Sequence, residues 1–230
     1  MRLAEELLVR PRFVIASNGG AVIDCATGES VHHSGFLPQT ARTVAAIAAR
    51  WPVAQCVYHP TQWYAVDQSA PIETRSGSEP IYVTALDEFY AGAIKILLVG
   101  DPDVIRRLQH VMARTEGVTA FASYPDYLEV MPATVSKATA ARFVESQLQR
   151  GSEAHRMAIG DGPGDIPLLM AVDRSVAVAN AVPEVKRAAH YTAPSNDSDG
   201  VAVAIDALVH ELPDAIAQLT AGGRSDVGKT

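Results

Sequence analysis

A chain of 230 residues with 48% hydrophobic content can bury a substantial core, as one large domain or two small ones. A formal net charge of -7 with scattered Lys and Arg argues against a nucleic-acid partner, which needs a basic face, and no apolar run reaches the length of a membrane span. Two cysteines, Cys25 and Cys56, lack metal spacing and form no CxxC pair, and charge interrupts the first residues where a signal peptide would be apolar; a cytoplasmic protein with no membrane partner is expected.

In chain order, Arg2 to Leu8 has helical spacing, and Arg12 to Ser17 reads as a buried strand ending at Asn18-Gly19-Gly20. Ala21 to Asp24 and Ser30 to Phe36 flank Thr27-Gly28-Glu29 as a hairpin. Thr40 to Arg50 forms an amphipathic helix, Ala54 to His59 and Trp63 to Val66 form strands, and Gln68 to Pro80 is polar and turn-rich. Lys95 to Gly100 is a buried strand, Pro102 to Arg114 a helix, and Val118 to Ser123 and Tyr127 to Met131 two more strands. From Met157 the pattern is strand, turn, helix; then Ser175 to Ala179 strand, Val182 to Ala188 helix, His190 to Thr192 a short edge strand and Gly200 to Val209 helix. Strands alternating with helices imply a parallel sheet covered on both faces. The residues after Leu219 are small and polar and are expected to be disordered.

The stretch Met157 to Met170 concentrates the chemistry. A short apolar run ends in Gly160-Asp161-Gly162-Pro163-Gly164-Asp165, and Pro163 suits a first helical position. Two carboxylates therefore stand where a strand ends, the place where open α/β sheets bind ligands, and paired acidic groups hold a hard cation through oxygen. Asp161 is the first metal-ligand candidate. The plainer alternative is that Asp165 complements a helix dipole above a tight turn. A dinucleotide loop fits less well, because the glycines miss the GxGxxG spacing and both aspartates repel a pyrophosphate.

Read onward, Ala158 to Asp165, Val176-Ala177-Val178-Ala179-Asn180-Ala181, Pro183-Glu184-Val185-Lys186 and Ser195-Asn196-Asp197-Ser198-Asp199-Gly200-Val201 resemble, in order and spacing, the GDGxND, VAMxNA, PEVK and SNxxDGV phrases of the Cof-type, cap-bearing phosphatases of the haloacid-dehalogenase-like superfamily. The resemblance runs from about residue 13 to 210. It implies an α/β fold: a Rossmann-like parallel-sheet core, residues 1–23 and 132–215, incomplete at its amino terminus, and an inserted α+β cap, residues 24–131, followed by a disordered tail, 216–230. Tyr58, His59, Trp63 and Tyr64 would be cap residues able to face a substrate, although packing is the commoner role of such aromatics.

The resemblance also assigns roles. Met131 to Ala140 matches the phrase in which a lysine follows a serine and opens a helix, making Lys137 the lysine that neutralises phosphate charge. Asp161 would be a Mg2+ ligand and Asp165 the second carboxylate, a metal ligand or the group that orients the lysine or a metal-bound water. Asn18 and Asn196 would line the phosphate pocket. Gly164 stands where the family usually has Asn, which removes one amide. The substrate class implied is a small phosphorylated metabolite of the sugar-phosphate type.

In that family an aspartate nucleophile in a DxDGT phrase forms a covalent phosphoenzyme, and a Thr or Ser at a later strand end holds the phosphate. No DxDGT occurs in these 230 residues, and the elements that would carry both groups span roughly 40 residues by ordinary lengths. Three expectations follow: a phosphatase whose start lies upstream, a non-catalytic phospho-ligand or partner-binding module, and a weak hydrolase using water at Asp161 and Asp165. A core lacking strands should expose apolar edge near Phe13, Ile15 and Ile159 and give a homodimer or a poorly soluble chain. Finally, Gly223 to Thr230 matches GxxxxGK[ST], but such a loop needs a strand before it and a helix after it, and no helix follows in this sequence.

Overall fold

The computed structural model describes residues 11–66, 79–148 and 155–225, and its contacts divide the chain into two compact units, Met1–Val144 and Glu145–Thr230. The helical spacing of Arg2 to Leu8 and most of the polar stretch Gln68 to Pro80 lie outside the described residues. Among the described residues, no helix is long and apolar enough to cross a membrane.

The first unit opens with an antiparallel meander, β1 (Phe13–Ala16), β2 (Ala21–Asp24) and β3 (Ser30–His33), in the order β1-β2-β3. The turn into β3 is set by local chemistry: the Asp24 carboxylate accepts from Ala26 N–H at 2.8 Å, and Gly28 takes a φ of 75°. β1 differs from the sequence expectation. It is half-buried along its length and pairs antiparallel with β2, Phe13 opposite Asp24 through Ala16 opposite Ala21. β2 follows closely enough in sequence to pair with it, and short-range antiparallel pairing closes a smaller loop than any parallel crossover.

A six-stranded sheet follows, in the order β6-β5-β4-β7-β9-β8. Its strands are β4 (Ala54–Tyr58), β5 (Trp63–Ala65), β6 (Ile81–Tyr82), β7 (Lys95–Val99), β8 (Val118–Tyr124) and β9 (Tyr127–Pro132). Side chains alternate between its two faces. Val57, Ile96, Leu98, Leu128 and Val130 pack under α1 (Pro38–Ala48) and α2 (Pro102–Met112), which contribute Ala41, Val44, Ile105 and Leu108. Each fully buried Leu, Ile or Val there contributes about 1.5–3 kcal/mol relative to exposure. α2 starts where expected because Asp101 accepts from Asp103 and Val104 N–H and Pro102 occupies the first turn, a cap contributing about 1 kcal/mol. The opposite face carries Cys56, Trp63, Leu97, Val99 and Tyr127. Burial pushes the Cys56 thiol up to about 12, which makes it a packing residue and not a nucleophile.

The second unit is the covered parallel sheet that the alternation predicts. β10 (Met157–Gly160), β11 (Arg174–Val178) and β12 (Tyr191–Ala193) run parallel in that order. α4 (Ile166–Ala171) and α5 (Pro183–Ala188) pack Leu169 and Val185 with Ala177 and Val178. On the other side α6 (Gly200–Leu208) sets Ala204 and Leu208 against Val176 and Ala193. A further helix, α3 (Lys137–Leu148), contains the division between the units.

The tail corrects two expectations. Pro213–Ile216 is a short helix, α7, and Thr220–Ala221 is a strand, β13, antiparallel to Tyr191 and Thr192, so β12 is an inner strand. Gly222 and Gly223 let the chain lie on the end of α5: a Cβ at Gly222 would stand 2.2 Å from the Ala189 carbonyl, and one at Gly223 2.6 Å from Arg187 Cα. Their ordering comes from a sheet edge that only the folded unit supplies. The Gly223 and Arg224 amides donate to the Lys186 and Ala189 carbonyls, so the first two residues of the phosphate-loop match are committed to backbone; residues 226–230 of that match lie outside the described residues.

At the start of β10, Arg156 clamps Asp173 through Nη2 at 2.9 Å and Nε at 3.2 Å, and its own N–H donates to the same carboxylate at 2.8 Å. These side-chain bonds, then the backbone one, hold the Asp173 carboxyl down to about 2 from 3.8. A depressed carboxyl stabilises the fold above its unfolded value and ceases to do so as pH falls through its folded one. The pair is largely exposed, so Asp173→Asn should cost only about 0.5–1 kcal/mol near neutrality. Urea unfolding at stepped pH should show that difference intact at pH 5 and shrinking between 3.8 and 2; a difference constant across that window would refute the assignment.

Candidate functional site

In the second unit three loops follow three adjacent parallel strands at their carboxyl ends, carrying Asp161 after β10, Asn180 after β11 and Asn196 after β12. The first is built by its glycines. A Cβ at Gly160 would stand 2.5 Å from Asp165 Cβ, so only glycine admits that side chain beneath the turn. Asp165 is 7% exposed, and its Oδ2 accepts from the N–H groups of both Asp161 and Gly162 at 3.1 Å. Asp165 N–H in turn donates to the Gly162 carbonyl at 2.9 Å, and Pro163 fixes the entry to the turn. The Asp161 carbonyl accepts from Val182 N–H at 3.2 Å. Asp161 is thus pinned by its backbone on both sides and its carboxylate is the exposed group.

Asn180 is a residue that sequence reasoning did not single out. Its Oδ1 accepts from Asn196 N–H at 3.1 Å and from Ser195 Oγ at 3.3 Å, so it holds the loop that bears Asn196. The signal was present in the phrase Val176 to Ala181, where a polar Asn closes an apolar run. The same loop needs Gly200, whose Cβ would lie 1.9 Å from the Pro194 carbonyl, and Asp199 in the left-handed region at φ 55°.

In the first unit, β1 ends in three successive residues of positive φ, Ser17 at 48°, Asn18 at 55° and Gly19 at 103°. A Cβ at Gly19 would stand 2.1 Å from the Ser136 carbonyl oxygen and 2.9 Å from Lys137 N, so this turn backs directly onto the start of α3. Ser136 caps that helix reciprocally with Thr139: Thr139 N–H donates to Ser136 Oγ at 3.1 Å, and Ser136 N–H to Thr139 Oγ1 at 2.9 Å. The turn that carries Asn18 and the helix start that carries half-buried Lys137, 119 positions apart by their numbers (137 − 18), are therefore adjacent through Gly19. A lysine in a first helical turn is mildly disfavoured by the dipole, and an anion relieves that.

The aromatics Tyr58, Trp63 and Tyr64 behave as packing. Trp63 is 3% exposed and stacks on Tyr58 at 5.3 Å, Tyr64 stacks on Phe89 at 4.1 Å, and a His59 ring nitrogen lies 2.8 Å from the Phe89 carbonyl.

The donor set tolerates magnesium but does not cage it. Among the described residues no group of three or more His, Cys, Asp or Glu could hold a metal. Mg2+, however, keeps several waters and is commonly held by one or two carboxylates together with substrate phosphate, which an exposed Asp161 over an ordered turn can serve.

The sequence profile of the haloacid dehalogenase-like hydrolases matches residues 1–205. A Streptococcus pyogenes protein is 38% identical over 117 residues, 49% of this chain and 42% of that protein, so the match spans under half of that relative's length. YxeH of Bacillus subtilis is 28% identical over 207 residues, covering 86% of this chain and 76% of its own. Among solved structures, that of BT4131, described as a subclass IIB sugar phosphatase, superposes with a TM-score of 0.71 at 17% identity, over 85% of this chain and 75% of that one. A likeness at that identity carries the fold.

Proposed function

Because the chain belongs to the haloacid dehalogenase-like hydrolase family, we propose that it is a magnesium-dependent phosphoric monoester hydrolase acting on a small, sugar-phosphate-type metabolite. The observation that carries this reading is the turn after β10, where buried Asp165 takes two amides and leaves the Asp161 carboxylate exposed at a parallel-strand end. In this reading Asp161 holds Mg2+, which when bound neutralises charge on a phosphate oxygen. Asp165 shapes the turn and acts on the metal through it. Lys137 neutralises phosphate charge, and Asn18 and Asn196 donate to phosphate oxygens. Residues 24–131 act as the cap, a division supported by a six-stranded sheet and two helices that form their own core within that span. The work is done in the cytoplasm on a diffusible substrate.

No DxDGT phrase stands in the 230 residues, so the same reading has this polypeptide, by itself, hydrolyse no ester above background. The test is phosphate release from p-nitrophenyl phosphate and a panel of sugar phosphates, with and without magnesium. Residues 1–230 should give background, and the chain extended upstream by a DxDGT-bearing segment should give magnesium-dependent release that Asp161→Ala abolishes. Robust turnover by residues 1–230, lost in Asp161→Ala, would overturn the first part and show another residue acting as nucleophile. The alternative is a phospho-ligand or partner-binding module on the same fold; sugar-phosphate binding without turnover in either chain would establish it.

A further inference from the structure

Glu129 lies on β9, the strand flanked by β7 and β8, opposite Leu97 on one side and Phe121 on the other. Its side chain is 12% exposed, and a carboxylate that buried needs partners. Among the described residues it has Lys95 Nζ at 3.1 Å and Asn18 Nδ2 at 3.2 Å on Oε2, and Ser123 Oγ at 3.1 Å on Oε1. Lys95 and Ser123 are its diagonal neighbours across the sheet, two residues from the directly paired positions. Asn18 is different in kind. It comes from the end of β1, in another sheet, 111 residues away.

An ion pair on a sheet face among Leu97, Tyr58 and Tyr127 is a weak source of stability, since apolar residues of similar volume commonly serve as well. The third partner gives it a task. A carboxylate accepts only, so it receives the NH2 of the Asn18 amide and repels the oxygen, which fixes one of the two amide orientations. It also helps retain Ser17 and Asn18 at positive φ, a conformation that costs of order 1 kcal/mol per residue and persists only when surroundings over-determine it. That turn backs onto Ser136 and Lys137.

We propose that Glu129 is a positioning residue: it clamps Asn18, with Lys95 as its counter-charge, and so sets the geometry of the Asn18–Gly19 turn against the start of α3. The use of that geometry for phosphate rests on the function proposed above; the clamp itself does not. Isotope-labelled chain is to be examined by NMR, following the Asn18 side-chain amide and the Gly19 and Lys137 backbone amides, first alone and then with inorganic phosphate. Variants are Glu129→Gln, Glu129→Ala and the double change Lys95→Met with Glu129→Leu, which removes the ion pair without stranding a lone charge.

In the unliganded protein, the Asn18 amide signals should shift and broaden in Glu129→Ala and in the double variant, and stay close to wild type in Glu129→Gln, which retains an acceptor. Phosphate binding should weaken about tenfold in the first two, as for outer-shell partners generally, and recover within about threefold in Glu129→Gln. Unmoved Asn18 signals in the double variant would overturn the proposal, whatever happens to phosphate. If wild type binds no phosphate while the Asn18 signals respond as stated, the use of this geometry for phosphate in residues 1–230 falls and the clamp stands. Should Glu129→Ala not fold, the double variant carries the same decision.

Discussion

Gly19→Ala is expected to destabilise the fold by about 2–6 kcal/mol, a large part of the roughly 5–15 kcal/mol that holds an ordinary domain together. Two costs combine. At φ 103° an L-residue is strained, by about 1–3 kcal/mol. The new Cβ would also stand 2.1 Å from the Ser136 carbonyl oxygen and 2.4 Å from its carbon, both backbone atoms, so the turn must separate from α3, at a further cost of about 1–3 kcal/mol. Gly92→Ala is the control. Gly92 has φ 77° but nothing within 4 Å of a Cβ, so it carries the conformational cost without the clash. Urea midpoints measured side by side should separate the two variants clearly. Equal midpoints would mean that the close approach of β1 and α3 is not a constraint in solution.

Asp165→Ala is expected to lose both stability and magnesium, whereas Asp161→Asn should lose magnesium alone. The Asp165 carboxylate is the acceptor for two amides beneath a nearly covered turn, and stranding them costs about 1–3 kcal/mol. Its removal also frees the backbone that aims Asp161. Asp161 is exposed, so neutralising it should change stability by less than about 0.5 kcal/mol. Thermal unfolding with and without magnesium, on the chain extended by a DxDGT-bearing segment, makes the comparison. A stable Asp165→Ala variant with wild-type magnesium affinity would show that the turn needs no carboxylate beneath it.

Several features were legible in the sequence because they are local. Asp101-Pro102 opens a helix where predicted, and the apolar runs at Lys95 to Gly100 and Met157 to Gly160 are strands. The Asp165 carboxylate is taken up by two amides of its own turn, an arrangement that reaches back only four residues. The aromatics of β4 and β5 were harder to place, since a run such as Trp63-Tyr64 reads alike whether it packs or binds.

What the sequence by itself determined is the strand-turn-helix around Asp161 and the order of its neighbours, since glycine, proline and a carboxylate four residues on act within one turn and need no distant partner. Only the tertiary structure decided that Glu129 holds Asn18, that Gly19 meets Ser136, that β1 joins a meander, and that Thr220 and Ala221 close the sheet beside β12. Each of these pairs residues far apart or chooses among competing strand edges. Such choices are set by loop closure and by the balance of buried area over the whole unit, quantities that no short window of residues contains.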